Sequence, residues 1–215
     1  SSEEKGPNNT HIVIGWLLGS SVNIQDLFKA QLLTNVLLDH SGSPLLKKLE
    51  TTSLGSSPSP ICGLDDSNKE MSFMVGLEGC LEEDSQKVES FILNSLDEFI
   101  DQGIPHEQVE AALHQLELNQ REVSGDSYPY GLQLLMSGLS VALHNGDPTK
   151  VLNIDPILVE LREAAKSETF IPNLIKELLI ENQHRVTLAL KPDNELASKK
   201  VKAEELILSD IKKSL

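Results

Sequence analysis

A chain of 215 residues, 39% of them hydrophobic, fits one or at most two globular domains and is long enough to bury a core. Its formal charge of −15 excludes a nucleic-acid or anionic-membrane surface built on clustered Lys and Arg; it leaves a solvated acidic exterior or, more sharply, an acidic wall that attracts basic peptides. Aromatic residues make up only 4%, so the core must be aliphatic, and no apolar run reaches the roughly 18 residues that a membrane-spanning helix needs.

In chain order, SSEEKGPNNT (1–10) is polar and reads as a loose or linker segment with no signal or transit pattern. HIVIGWLLGS (11–20) is apolar almost throughout and β-branched at Ile12, Val13 and Ile14, which predicts a strand buried on both faces. Asn23 stands where an N-cap belongs, ahead of IQDLFKAQLLTNVLLD, in which Leu27, Ala30, Gln31, Thr34, Leu37 and Leu38 recur at helical spacing. HSGSP interrupts that helix. PLLKKLETT predicts a short helix with Pro44 in its first turn, LGSSPSP a loop, and Ile61 to Leu64 a short strand that the DDSNK turn returns into its neighbour.

The stretch from Met71 to Glu122 organises the rest. In MSFMVGLEGC, Phe73, Val75 and Leu77 alternate with Ser72, Met74 and Gly76, the two-residue period of a strand. Val88, Phe91, Ile92, Ser95, Leu96 and Phe99 then return at steps of three and four, as Val109, Leu113, Leu116 and Gln120 do further on, so two amphipathic helices follow. Gly103 ends the first as a residue free to take positive φ, and Pro105 opens the second. Val75 and Leu77 are expected to point into these helices and to meet Leu96 and Leu113.

SGDSYPYG is a break. LQLLMSGLSVALHNG predicts an apolar helix ended by Asn145-Gly146, and DPILVELREAAKS and TFIPNLIKELLIENQ predict two more. HRVTLALKP (184–192) sets Val186, Leu188 and Leu190 against Arg185, Thr187, Ala189 and Lys191, the alternation of a half-buried strand. Beyond Pro192 the chain is charged and helical, with too few apolar residues for a core, and reads as an arm leaving the domain at 193–215. Four strands and roughly seven helices, with strands at both ends of a helical middle, give an α+β fold: a mainly antiparallel sheet with helices packed on one face.

Candidate chemistry is sparse. The six histidines are His11, His40, His106, His114, His144 and His184. Neither H-x-x-E-H nor H-E-x-x-H occurs, so the two imidazoles on adjacent turns that would hold a zinc, with a Glu to take a proton from its water, are missing. His106-Glu107-Gln108-Val109-Glu110 lacks the second His; Glu110 and His114, four apart, read as a surface pair. No G-x-S-x-G and no phosphate loop is present; Gly76 and Gly79 suit a bulge or close packing, and Trp16 suits the core. Cys62 and Cys80 are placed apart by the hairpin, so two unbridged thiols and an intracellular reducing compartment are expected: cytoplasm, mitochondrial matrix or plastid.

VGLEGCLEEDSQKVESFILNSLDEFIDQGIPHEQVEAALHQLELNQRE resembles the second, non-catalytic domain of the presequence protease group of zinc metallopeptidases, in the pitrilysin/insulinase superfamily. The likeness extends through HIVIGWLLGSSVNIQDLFKAQLLTNVLLDHSGSPLLKKLETTSLG, SPSPICGLDDSNKEMSFMVGLEG, HNGDP and ENQHRVTLALKPDNE in the same order. It implies a ferredoxin-like-related metallopeptidase-superfamily domain over 11–192, followed by the start of the helix that joins two halves of a clamshell enzyme. It implies further that zinc and H-x-x-E-H belong to another domain of the same polypeptide, that peptides are the substrates, and that no catalytic or metal residue falls on this chain; residues that touch substrate stay unspecified. A structural, non-peptidase member of the superfamily and a helical interaction module are the alternatives.

Overall fold

The computed structural model describes residues 9–121, 129–193 and 195–214. Five antiparallel strands form one open sheet in the order β2-β4-β1-β5, with β3 also pairing with β4: β1 is Thr10–Ser20, β2 Ser57–Pro58, β3 Gly63–Asp65, β4 Glu70–Cys80 and β5 Arg185–Leu190. Helices α1 (Ile24–Leu38), α2 (Pro44–Thr51), α3 (Ser85–Gln102), α4 (His106–Arg121), α5 (Tyr130–Leu143), α6 (Asp155–Ala165), α7 (Phe170–Ile175) and α8 (Leu196–Ser214) complete the described elements, with short 3-10 turns between. The fold is therefore the expected α+β arrangement. The expected linker at 1–10 lies largely outside the described residues.

The two central strands decide where the core sits. Ile12, Ile14 and Trp16 of β1 stand opposite Leu77, Val75 and Phe73 of β4, and all six are at most 1% exposed. On their side α1 and α3 lie across the sheet, and α3 supplies Val88, Ile92, Ser95, Leu96 and Phe99, the period read from its sequence. Ser95 is tolerated there because its hydroxyl donates to the Phe91 carbonyl at 2.7 Å. Gly103 takes φ +72 at the end of α3. Gly76 serves close approach: a Cβ there would fall 2.2 Å from the Ile12 carbonyl oxygen.

Trp16 also ties the sheet to the last helical turns. After α7 the chain passes into a π-type turn, Lys176–Ile180, where one continuous helix was expected. Its end leaves the Leu179 carbonyl without a helical donor, and the Trp16 indole N–H supplies one at 2.8 Å. Asn182 finishes the exit into β5, its amide donating to Leu178 at 3.0 Å and Leu17 at 2.8 Å.

Other expectations are corrected by the structure. Asn23 stands at the N-cap position of α1, as expected, but its side chain caps no backbone N–H; its amide donates to Asp26 instead. LGSSPSP contains a two-residue strand that pairs with Leu77 and Glu78 of β4. Leu113 is buried, yet α4 packs chiefly on α1 and α6 rather than on the sheet, with Glu117 of α4 held by Arg121 and by Arg162 of α6. The strand expected at 184–192 forms as β5, and its register decides which face is covered. Its register sets Thr187 opposite Ile14 and Ala189 opposite Ile12, so these small residues take the helix side. Val186, Leu188 and Leu190 face the other way and are 64%, 49% and 48% exposed.

Candidate functional surface

The histidines do not converge. His106 Nε2 lies 3.2 Å from Glu110 Oε1, so Glu110 pairs with His106 and not with His114 as the spacing suggested. His114 lines the same shallow pocket between α4 and α6, together with Arg162 and Lys166, whose cationic groups oppose a metal ion there. His40 Nδ1 accepts from the Gly42 N–H at 3.1 Å, and His11 stands 3.9 Å from Glu78. Among the described residues, no three His, Cys, Asp or Glu side chains come together as metal ligands. The donor set does not fit a zinc ion.

The thiols are equally unsuited to chemistry. Cys62 and Cys80 are free. Cys62 sits against β4, its sulfur accepting from the Gly76 N–H at 3.3 Å. Burial pushes its thiol above the ordinary range, outweighing hydrogen bonds from Gly76 and Ser59. Burial, then the nearby Asp84 charge, does the same to Cys80. Both are therefore thiols rather than thiolates near neutral pH, the opposite of an activated nucleophile.

What the fold does assemble is the sheet face away from the helices. Gly15 lies in the middle of β1 on that side, with Met74 of β4 opposite it and Val186 of β5 at its other flank. A Cβ on Gly15 would stand 3.8 Å from Met74 Cγ and 4.0 Å from Val186 Cγ1, so those two side chains wall a trough whose floor is backbone. The trough measures about 640 Å³; Leu17, Ser72 and Glu70 line it on the β1–β4 side and His184 and Arg185 on the β5 side. Leu188 and Leu190 continue the apolar surface along β5. The alternation of β5 was legible in its sequence, but its sidedness depends on register with β1. A glycine inside the apolar run Ile12-Val13-Ile14-Gly15-Trp16 is the one signal that could have marked the trough.

Two further apolar surfaces are exposed. On α5, Leu135, Met136 and Leu143 are more than half exposed, and Val141 is buried. On α8 every described side chain is exposed, Leu206, Ile207, Leu208 and Ile211 included. No described helix is long and apolar enough to cross a membrane.

Comparison with known proteins places this architecture. Residues 1–116 match the family described as the peptidase M16 inactive domain. The mitochondrial presequence protease of Xenopus laevis is 32% identical over 207 residues, which cover 96% of this chain and 20% of that protein. Presequence protease 1 of Arabidopsis thaliana, chloroplastic/mitochondrial, is 31% identical over 209 residues, 95% of this chain and 19% of that protein. The chain thus spans about a fifth of the length of these relatives. Among solved structures, the inactive peptidase domain of a zinc protease from Bordetella parapertussis superposes with a TM-score of 0.64 at 15% identity, covering 90% of this chain and 98% of that one. A protease from Helicobacter pylori gives 0.60 at 14% identity, covering 88% of this chain and 42% of that one. These structural likenesses show the fold alone. The sequence match shows the family: the chain belongs to the peptidase M16 inactive-domain family.

Proposed function

We propose that this member of the inactive-domain family forms a non-catalytic wall of the chamber of a longer zinc metallopeptidase that degrades unstructured peptides such as presequences. The observation that carries this reading is a pairing. The chain aligns over nearly its whole length with a fifth of each presequence protease, while among its described residues no metal-ligating set comes together. Catalysis, with the H-x-x-E-H motif and its zinc, would lie in another domain of the same polypeptide. This chain would contribute enclosure and peptide contact, and residues 193–215 would begin the helix that joins the two halves. The unbridged thiols, Cys80 buried and Cys62 half-buried, and the organellar relatives support a reducing interior such as the mitochondrial matrix or plastid.

The test compares the 215-residue chain with its full-length parent after chelation and zinc reloading. The chain alone is expected to hold no stoichiometric zinc and cut no peptide; the parent is expected to do both. One tightly held zinc per isolated chain would return attention to His106, Glu110 and His114. A parent that folds but cuts nothing would favour the structural, non-peptidase alternative.

A further inference from the structure

We propose that Asn145-Gly146, the only Asn-Gly pair in the sequence, is a self-modification site, independent of any chamber-wall role: the Asn145 side-chain amide is lost to the neighbouring backbone nitrogen whenever the C-terminal cap of α5 opens.

The pair has the chemistry for it. Asn145 is exposed, and Gly146 has no side chain to hinder ring closure. The deprotonated Gly146 nitrogen attacks Asn145 Cγ. That N–C bond forms as the Cγ–Nδ2 bond breaks, and the amide leaves as ammonia. Water then opens the resulting succinimide at either carbonyl, giving aspartate or isoaspartate at this position. Oxidation states are unchanged, and water is the only co-reactant.

The fold holds this reaction off. Asn145 takes φ +63, the left-handed conformation that ends a helix, and its N–H donates to the Ala142 carbonyl at 3.0 Å. The Gly146 N–H donates to the Val141 carbonyl at 2.9 Å. A nitrogen so bonded neither yields its proton to water nor turns toward its neighbour's side chain. Gly146 is also pinned: a Cβ there would fall 2.5 Å from Val141 Cγ1 and 2.9 Å from Val22 Cβ. The latch is small, however. Val141 is the single buried side chain among those described on α5, which packs chiefly on the turn Pro148–Leu152. Few buried contacts make local opening cheap. Either product sets a new carboxylate ahead of Asp147. Isoaspartate also lengthens the main chain by a methylene, so the two capping hydrogen bonds no longer fit together. The modification is a one-way record that the end of α5 has lifted.

Peptide mass mapping of the 215-residue chain during incubation at mildly alkaline pH tests this, beside a free peptide of residues 140–149 and the chain in urea. The peptide and the unfolded chain should convert at one rate, and the native chain more slowly by about tenfold or more. Hydrogen exchange at the Gly146 amide should be retarded by the same factor, because one opening exposes the nitrogen to both reactions. Val141→Ala, which removes the buried side chain beside Gly146, should bring the native rate toward that of the peptide. Asn145→Gly keeps the left-handed turn and supplies the blank. A native chain that converts as fast as the peptide overturns the proposal. So does a slowing of conversion that differs from the slowing of exchange, or a Val141→Ala chain that keeps a native thermal transition and reacts no faster than wild type. Where Val141→Ala unfolds, the match between the two retardation factors in the wild-type chain decides.

Discussion

The two faces of this sheet are made by the same strands and face opposite demands. On the helix side, Ile12, Ile14, Trp16, Phe73, Val75 and Leu77 are excluded from water beneath α1 and α3. On the other side, Leu17, Val186 and Leu188 remain 45%, 64% and 49% exposed. β5 makes the contrast plain. It places Thr187 and Ala189 toward the helices and its larger aliphatic residues toward the open face. Apolar alternation therefore marks two faces, and here the more apolar face of β5 is not the core face. Stability should depend on one side and recognition on the other, and that division can be broken experimentally.

The largest expected effect lies in the layer between β4 and α3. Leu77→Ala or Leu96→Ala removes a fully buried side chain and should cost about 2–5 kcal/mol in urea unfolding, the transfer loss plus the cavity left behind. Leu113→Ala belongs to the same range, though its cavity would open between α4 and its helical neighbours rather than against the sheet. If Leu96→Ala unfolds like wild type while the full-length parent loses turnover, α3 contacts substrate and the assignment of that layer to the core fails.

Trp16→Phe is next. The ring is largely replaced, but the Leu179 carbonyl loses its donor while it stays buried. An unsatisfied buried acceptor costs about 1–3 kcal/mol. A chain ending at Asp193 should lose less. Residues beyond it expose every described side chain, so their removal should lower the thermal midpoint by only a few degrees, the scale of about 1 kcal/mol in a domain of this size. A collapse of the transition on truncation would show α8 to be part of the core and not the start of an arm.

Most of the architecture was legible because periodicity reports local geometry. The strands at 11–20 and 71–80, the faces of α3 and α4, the turn at Gly103 and the break at Asn145, which takes φ +63, all follow from spacing or from backbone freedom. What the sequence withheld depends on partners distant along the chain. The sidedness of β5 is set by register with β1, the π-type turn accompanies an indole 163 positions away, and Asn23 met Asp26 before it could cap. For the candidate surface, spacing suggested Glu110 with His114, whereas Glu110 pairs with His106 and both histidines line one pocket between α4 and α6. The trough did not announce itself, because its central residue is a glycine and its walls come from two other strands.

The smallest expected effect is the sharpest test of the two-faced sheet. Leu188→Ala removes the same atoms as Leu77→Ala, from a residue of the same type in the same sheet. Leu77 is wholly buried, whereas Leu188 keeps about half its surface in water and stands on the side without helices. Little apolar area is lost and no closed cavity forms, so the change should stay within about 0.5 kcal/mol, the ordinary range of surface substitutions. Urea unfolding of the two variants side by side gives the difference directly. A cost for Leu188→Ala approaching that of Leu77→Ala would mean that the open face is covered in solution. It would then be a structural interface, with no free surface left for a peptide.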